Sequence, residues 1–206
     1  MAIFQHSPHS RGQIPAVWLM SDERMGTAFL PSVQAMPRGS GVILRHYTLT
    51  QTDRRALFRR VRQIARRRGL MVFLAGSARQ AQRWGADGYH GRINRQLKRV
   101  SVGRAQYTML HSAPVHDRSE IAVNLSHADL FFLSPVYATS SHVGARSLGP
   151  LRCRRLAALC DAPVIALGGM TRPRFMMLSA KMRSASRRSA RADIHGWAAI
   201  DALAKS

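Results

Sequence analysis

Eight short apolar runs alternate with helix-patterned segments along this chain, and that alternation restricts the fold more than any other feature. The runs fall at residues 16–20, 41–46, 70–75, 88–90, 106–111, 130–136, 164–167 and 194–200. Most are continuously apolar rather than alternating, as strands covered on both faces require. Helical patterns occupy 27–36, 53–68, 78–84, 94–99, 118–126, 150–160 and 172–184, with a stub at 201–205. Gly69 closes the second of these helices, and Pro150 suits the first turn of the sixth. Together they predict an α/β protein of the (β/α)8 or TIM barrel class, a single domain of ordinary size for 206 residues. An open doubly wound sheet shares the alternation. A dinucleotide-binding version of it would want a glycine fingerprint near the first strand, and none is there.

The barrel is expected over 16–206, with 1–15 as a flexible polar leader that lacks the apolar core of a secretory signal. No run of about eighteen apolar residues exists, so no membrane span is expected. Cys153 and Cys160 lie seven apart in one predicted helix. Their Cα atoms would be about 10 Å apart, too far for a disulfide, so they read as buried thiols of a cytoplasmic protein.

The net charge is +22, almost all of it from arginine, with lysine only at Lys98, Lys181 and Lys205. A polyanionic partner is one explanation. A GC-rich coding sequence is another, and it needs no partner. Within 53–68, Leu57, Val61, Ile64 and Ala65 follow helical spacing while Arg55, Arg59, Arg62 and Arg66 point elsewhere, the pattern of a solvated helix face. A nucleic-acid partner is therefore not expected. Residues 176–191 carry arginines and a lysine without clean periodicity and read as a helix running into a basic loop.

Barrels of this class carry their chemistry at the C-terminal ends of the strands. Those ends bring Asp22, Glu23, Arg45, His46, Ala75, Gly76, His90, His111, Ser112, the loop from Thr139 to His142, Gly168, Gly169 and Asp201 around one mouth. Three imidazoles and an arginine suit an anionic ligand. The loop at 133–144, LSPVYATSSHVG, supplies hydroxyls and His142 as donors for phosphate oxygens. Gly168 and Gly169 let backbone N–H groups approach a ligand without Cβ interference.

Residues 85–90 (GADGYH), 110–112 (LHS), 134–144 (SPVYATSSHVG) and 163–170 (PVIALGGM) resemble, in this order, thiamine phosphate synthase and its thiazole tautomerase relatives. The resemblance runs over roughly 41–200. It implies a (β/α)8 barrel of thiamine biosynthesis that takes small phosphorylated thiamine precursors. The synthases join a hydroxymethylpyrimidine diphosphate to a thiazole phosphate and release pyrophosphate with Mg²⁺ present. Carried over residue by residue, the synthase diphosphate motif keeps only Arg45 within Ile43 to Tyr47. The positions implied for metal carboxylates fall on Gly76, in the pair Ala75–Gly76, and near Arg95, so no metal ligand is assigned. A serine of the family falls on Met109, and another becomes Asp201. The tautomerase histidine falls on Pro135, where synthases also have proline.

The candidate catalytic residues are His111 and His142. The candidate phosphate contacts are Arg45, Thr139, Ser140, Ser141, Gly144, Gly168 and Gly169. Arg45 serves equally as an ion-pair partner, His111 equally as a core hydrogen-bonding group, and His90 reads as structural. Asp22 and Glu23 read as helix N-terminal charge rather than an acid–base pair. The expected activity is thiamine phosphate synthase-type transfer. Tautomerase-like proton transfer and phosphate-ligand binding without catalysis are the alternatives, and assembly into a homo-oligomer is left open.

Overall fold

Parallel strands cannot be joined by tight turns, so each apolar run must be followed by a crossover before the next can pair with it. The computed structural model describes residues 14–92, 109–139, 147–185 and 194–200, and eight such strands close on themselves there. They are β1 Val17–Met20, β2 Gly41–Leu44, β3 Met71–Ala75, β4 Gly88–His90, β5 Leu110–Val115, β6 Leu130–Leu133, β7 Val164–Ala166 and β8 Ile194–Ala199. Every neighbour is parallel, and β8 returns to β1 through Trp197 against Val17. The described helices are α1 Phe29–Ala35, α2 Gln51–Arg68, α3 Ala78–Trp84, α4 Arg118–Asn124, α5 Gly149–Ala157 and α6 Arg172–Ala185. A 3-10 turn at Glu23–Ala28 leads into α1. The single-domain (β/α)8 barrel is the architecture. The helices expected at 94–99 and 201–205 lie outside the described residues.

Two boundaries differ from expectation. The fifth strand runs over Leu110–Val115, not 106–111, and accommodates Pro114 opposite Phe132 of β6. Proline costs the ladder one N–H, and the flanking rungs through Ala113 and Val115 hold the register. Ile14 and Pro15 also join the barrel ahead of its expected start at residue 16. The Ile14 carbonyl accepts from His195 Nε2 at 2.7 Å, and the Pro15 carbonyl from Trp18 Nε1 at 2.6 Å, so the barrel takes in the chain from residue 14.

Alternating strand residues point into the barrel or out to the helices. The inward set is dominated by Trp18, Phe73 and Phe132, with Met71, Leu130 and Ile165 around them. Trp18 meets Phe73 edge-on at 5.1 Å and Phe132 at 5.4 Å, a favourable aromatic geometry. Space for the indole comes from Gly41 on the adjacent strand, where a Cβ would stand 2.2 Å from the ring. The outward set packs beneath the helices: Leu19, Val42, Leu44 and Val72 under α1 and α2, and Ala113, Phe131, Leu133 and Val164 under α5. Thr50 caps α2 by accepting from the Asp53 N–H, and Gly69, in the left-handed conformation, ends it. No described helix is long and apolar enough to cross a membrane.

An exposed strand glycine replaced by alanine ordinarily gains a few tenths of a kcal/mol from a stiffer unfolded chain. For Gly41→Ala the opposite sign is expected, a loss of about 1–3 kcal/mol from overpacking against Trp18. Urea unfolding monitored by far-UV circular dichroism checks this. A midpoint equal to or above that of the parent would mean the indole is not seated there.

Candidate functional site at the barrel mouth

The mouth is assembled from strand ends, and its first side is organised by arginines. Arg45, directly after β2, donates from its backbone N–H to Ser21 Oγ at 2.7 Å and from Nε to the Ser21 carbonyl at 2.7 Å. One terminal nitrogen reaches Asp22 Oδ2 at 3.1 Å, and the other has no partner among the described residues. Burial pushes the Arg45 guanidinium below its ordinary value, opposed by the Asp22 charge. The Arg24 guanidinium, hydrogen-bonded to Asp22, holds that carboxyl down to about 2, with Arg45 adding to the effect. Arg45 is thus an ion-pair partner with one donor to spare. His46, held at φ 40°, turns back to Ser21 Oγ at 3.0 Å, and burial lowers its proton affinity.

Arg54 is a residue sequence reasoning missed. It is buried, and it donates to the carbonyls of Arg45 at 2.6 Å, Leu44 at 3.3 Å and Ala75 at 2.6 Å. It therefore ties the ends of β2 and β3 together from behind the mouth. The signal was present: Arg54, Phe58, Val61 and Ala65 share the buried stripe of α2, and an arginine in such a stripe needs buried acceptors.

The inward imidazole of the mouth is His90, at the end of β4. Its Nδ1 meets Ser112 Oγ at 2.9 Å, and its ring lies edge-on to Phe132 at 5.3 Å. The Ser112 hydroxyl is placed to donate to the Tyr89 carbonyl at 3.3 Å, which assigns the imidazole proton to Nδ1 and leaves Nε2 as an acceptor. Burial, reinforced by the Arg45 charge, pushes the His90 pKa down to about 3, so the ring is neutral. His90 accepts hydrogen bonds and is a weak base.

His111 does not stand at the mouth. It is the second residue of β5, not its end, and it points outward with only 3% of its surface exposed. Its Nε2 meets the Gly91 carbonyl at 2.8 Å and its Nδ1 the His127 carbonyl at 3.1 Å. The ring stacks on Tyr89 at 4.4 Å. This placement corrects the expectation of a strand-end imidazole; the alternative of a core hydrogen-bonding group describes His111 as it stands.

The opposite side of the mouth joins the loop after β6 to the loop after β7. Val136 N–H donates to the Leu167 carbonyl at 2.8 Å and Tyr137 N–H to the Gly168 carbonyl at 3.0 Å. That approach is why residues 168 and 169 are glycines: added Cβ atoms would meet Pro135 Cα at 2.7 Å and the Ala138 carbonyl at 2.6 Å. Both also have positive φ, 92° and 59°. Their own N–H groups have no acceptor among the described residues. Arg174, in the first turn of α6, donates to the Gly169 carbonyl and lies over the Tyr137 ring at 4.7 Å. It clamps both loops and is a second residue that sequence reasoning passed over. Thr139 is half-buried at the edge of this loop. Ser140, Ser141, His142 and Gly144 lie outside the described residues.

No group of three His, Cys, Asp or Glu side chains converges among the described residues. Asp22 has both carboxylate oxygens engaged by arginines, and Glu23 accepts from the Thr48 N–H. Gly76, at a position where a carboxylate is implied, packs beside β4 with its N–H on the His90 carbonyl. A cleft of about 710 Å³ lies elsewhere, on the outer wall between α1 and α2.

Fold and site thus define a (β/α)8-barrel protein whose mouth, among the described residues, offers backbone N–H groups, arginines and a neutral imidazole but few free carboxylates. The family model for thiamine monophosphate synthase matches residues 19–203, and the chain belongs to that family. Among solved structures it is similar to a thiamine phosphate pyrophosphorylase from Pyrococcus furiosus, at 18% identity and a TM-score of 0.70, over 95% of this chain and 90% of that one. A thiamine phosphate pyrophosphorylase from Bacteroides thetaiotaomicron is similar at 14% identity and 0.54, over 91% and 83%. An HpcH/HpaI aldolase from Desulfitobacterium hafniense matches at 12% and 0.52, over 92% and 88%, a likeness of fold. No curated protein sequence matches significantly.

A neutral buried His90 has a consequence for acid stability. Its pKa is lower folded than unfolded, so between about 6.5 and about 3 the unfolded chain binds the proton that the folded chain refuses. Stability therefore falls as pH drops through that window, by up to roughly 1.4 kcal/mol per pH unit from one such group. Asp22 adds its own loss as pH falls from 3.8 towards 2. In His90→Gln, urea midpoints measured from pH 7 to 4.5 should decline less steeply than in the parent. Parallel declines would mean that His90 is not the group responsible.

Proposed function

We propose that this protein works in thiamine biosynthesis by joining a hydroxymethylpyrimidine diphosphate to a thiazole phosphate at the barrel mouth. In that reaction the thiazole nitrogen forms a C–N bond to the pyrimidine methylene carbon. The C–O bond to the diphosphate breaks, and its electron pair leaves with pyrophosphate. The observation that carries the reading is the β6–β7 side of the mouth. The N–H groups of Gly168 and Gly169, without an acceptor among the described residues, stand beside Arg174 and make a cradle for the monophosphate of the thiazole partner. Arg45, with one terminal nitrogen left without a partner among the described residues on the opposite side, faces the departing pyrophosphate. Holding the two reactants in line supplies the rest, since positioning alone lowers such barriers by several kcal/mol.

A second reading, phosphate-ligand binding without transfer, is favoured by the engaged state of Asp22 and the glycine at 76. Tautomerase-like proton transfer through His111 finds no support in the outward position of that ring.

Purified protein supplied with both precursors and Mg²⁺ should form thiamine phosphate and pyrophosphate. Arg174→Gln should lower kcat/KM about tenfold or more, mainly through KM for the thiazole phosphate, as loss of a charged contact of roughly 1.5–3 kcal/mol implies. Tight thiazole phosphate binding without product would establish the second reading. Neither binding nor turnover by the folded protein would remove both.

A further inference from the structure

The charge of this chain has a placement that the sequence alone does not show. On α2, Arg55, Arg59 and Arg66 are all exposed. At 100° per residue they fall within about 40° of one line, spaced along the axis at multiples of 1.5 Å per residue. Arg62 continues the line and is tied to Asp87 at 2.7 Å. The adjacent helix α3 carries Arg79 and Arg83, both exposed and one turn apart. Contact of Phe58 with Trp84, 5.6 Å between ring centroids, fixes α3 against α2. Two ranks of guanidinium groups therefore stand side by side on neighbouring helices.

Carboxylates are almost absent from this face. Between residues 51 and 92 the acids are Asp53 and Asp87. Asp53 sits in the first turn of α2 beside Thr50, and Asp87 is held by Arg62 and the Val72 N–H. On α4 and α5 the arginines are interspersed with acids, Asp117, Glu120 and Asp161. An arginine-rich composition would scatter charge evenly. Here Arg55, Arg59 and Arg66 are aligned on one face of α2, and of that rank Arg62 is paired with Asp87.

We propose that the α2–α3 face is a docking surface for the phosphate backbone of a duplex nucleic acid. The axes of packed neighbouring helices are about 8–10 Å apart, so arginines of both helices can reach the phosphates of one polyanion. Guanidinium groups pair bidentately with phosphate oxygens, and no base-reading group is required. The surface lies on the outer wall of the barrel, so binding there leaves the mouth open.

A fluorescein-labelled 20-base-pair DNA duplex, titrated with full-length protein across a salt series, tests this directly. Because any chain of +22 attracts DNA weakly, the comparison is between variants of equal charge. R55Q/R59Q/R66Q should weaken binding at least about tenfold near physiological salt and lower the log–log salt slope by about 2–3. R118Q/R152Q/R155Q, with the same charge removed from the α4–α5 face, should stay within about threefold of the parent. R55K/R59K/R66K should retain the slope. Equal weakening by both glutamine triples would overturn the proposal and leave non-specific attraction. It would be overturned as well if the α2 triple abolished binding to phosphatidylserine vesicles while leaving DNA binding intact. Unchanged melting temperatures establish that each variant is folded.

Discussion

The seating of the Trp18 indole against Gly41 is the contact on which the rest of this structure depends. A barrel of eight strands has an interior that side chains must fill, and here three aromatic rings do most of the filling. Trp18 enters only because the adjacent strand offers hydrogen where a Cβ would stand 2.2 Å away. Phe132 then rests on Trp18 and supports His90 edge-on above it. The floor of the mouth is therefore set by the plug beneath it. Dry aromatic surroundings are also what keep His90 neutral.

Above that floor the two sides of the mouth follow different physics. The β1–β2 side is a network of arginines, a serine and an aspartate in which nearly every donor has an acceptor. Asp22 is fully occupied there, so its charge serves the fold. The β6–β7 side is a backbone zipper, two loops joined by main-chain hydrogen bonds and clamped by Arg174 over Tyr137. Its glycines answer first to loop packing, and the N–H groups left over are a product of the same geometry. Backbone N–H dipoles and guanidinium groups, the groups described on these two sides, are of the kind that suit an anion.

Much of the fold was legible because parallel strands buried on both faces leave continuous apolar runs, and Gly69 marks a helix end in plain sight. Placing the fifth strand at 106–111 put His111 at its end, whereas the ladder runs from Leu110 through Pro114 to Val115. Arg54 and Arg174 act through long side chains on main-chain carbonyls and rings of other segments, contacts with no local pattern. Arg54 alone left a trace, by standing in an apolar stripe. The arginine face of α2 was legible from its helical spacing, and its placement beside Arg79 and Arg83 of α3 emerged only once the two helices were seen side by side. Gly168 and Gly169 were read as sites of close approach to a ligand, and the group that approaches them in the structure is the neighbouring loop.

The central claim is that the mouth holds phosphate by backbone N–H groups and arginine at the ends of β6 and β7. A crystal structure with thiamine phosphate bound tests it most directly. The phosphorus should lie where its oxygens accept from the Gly168 and Gly169 N–H groups at about 2.7–3.2 Å, with Arg174 alongside. A phosphate seated on the outer wall, or a ligand whose phosphate points away from the diglycine, would contradict the account.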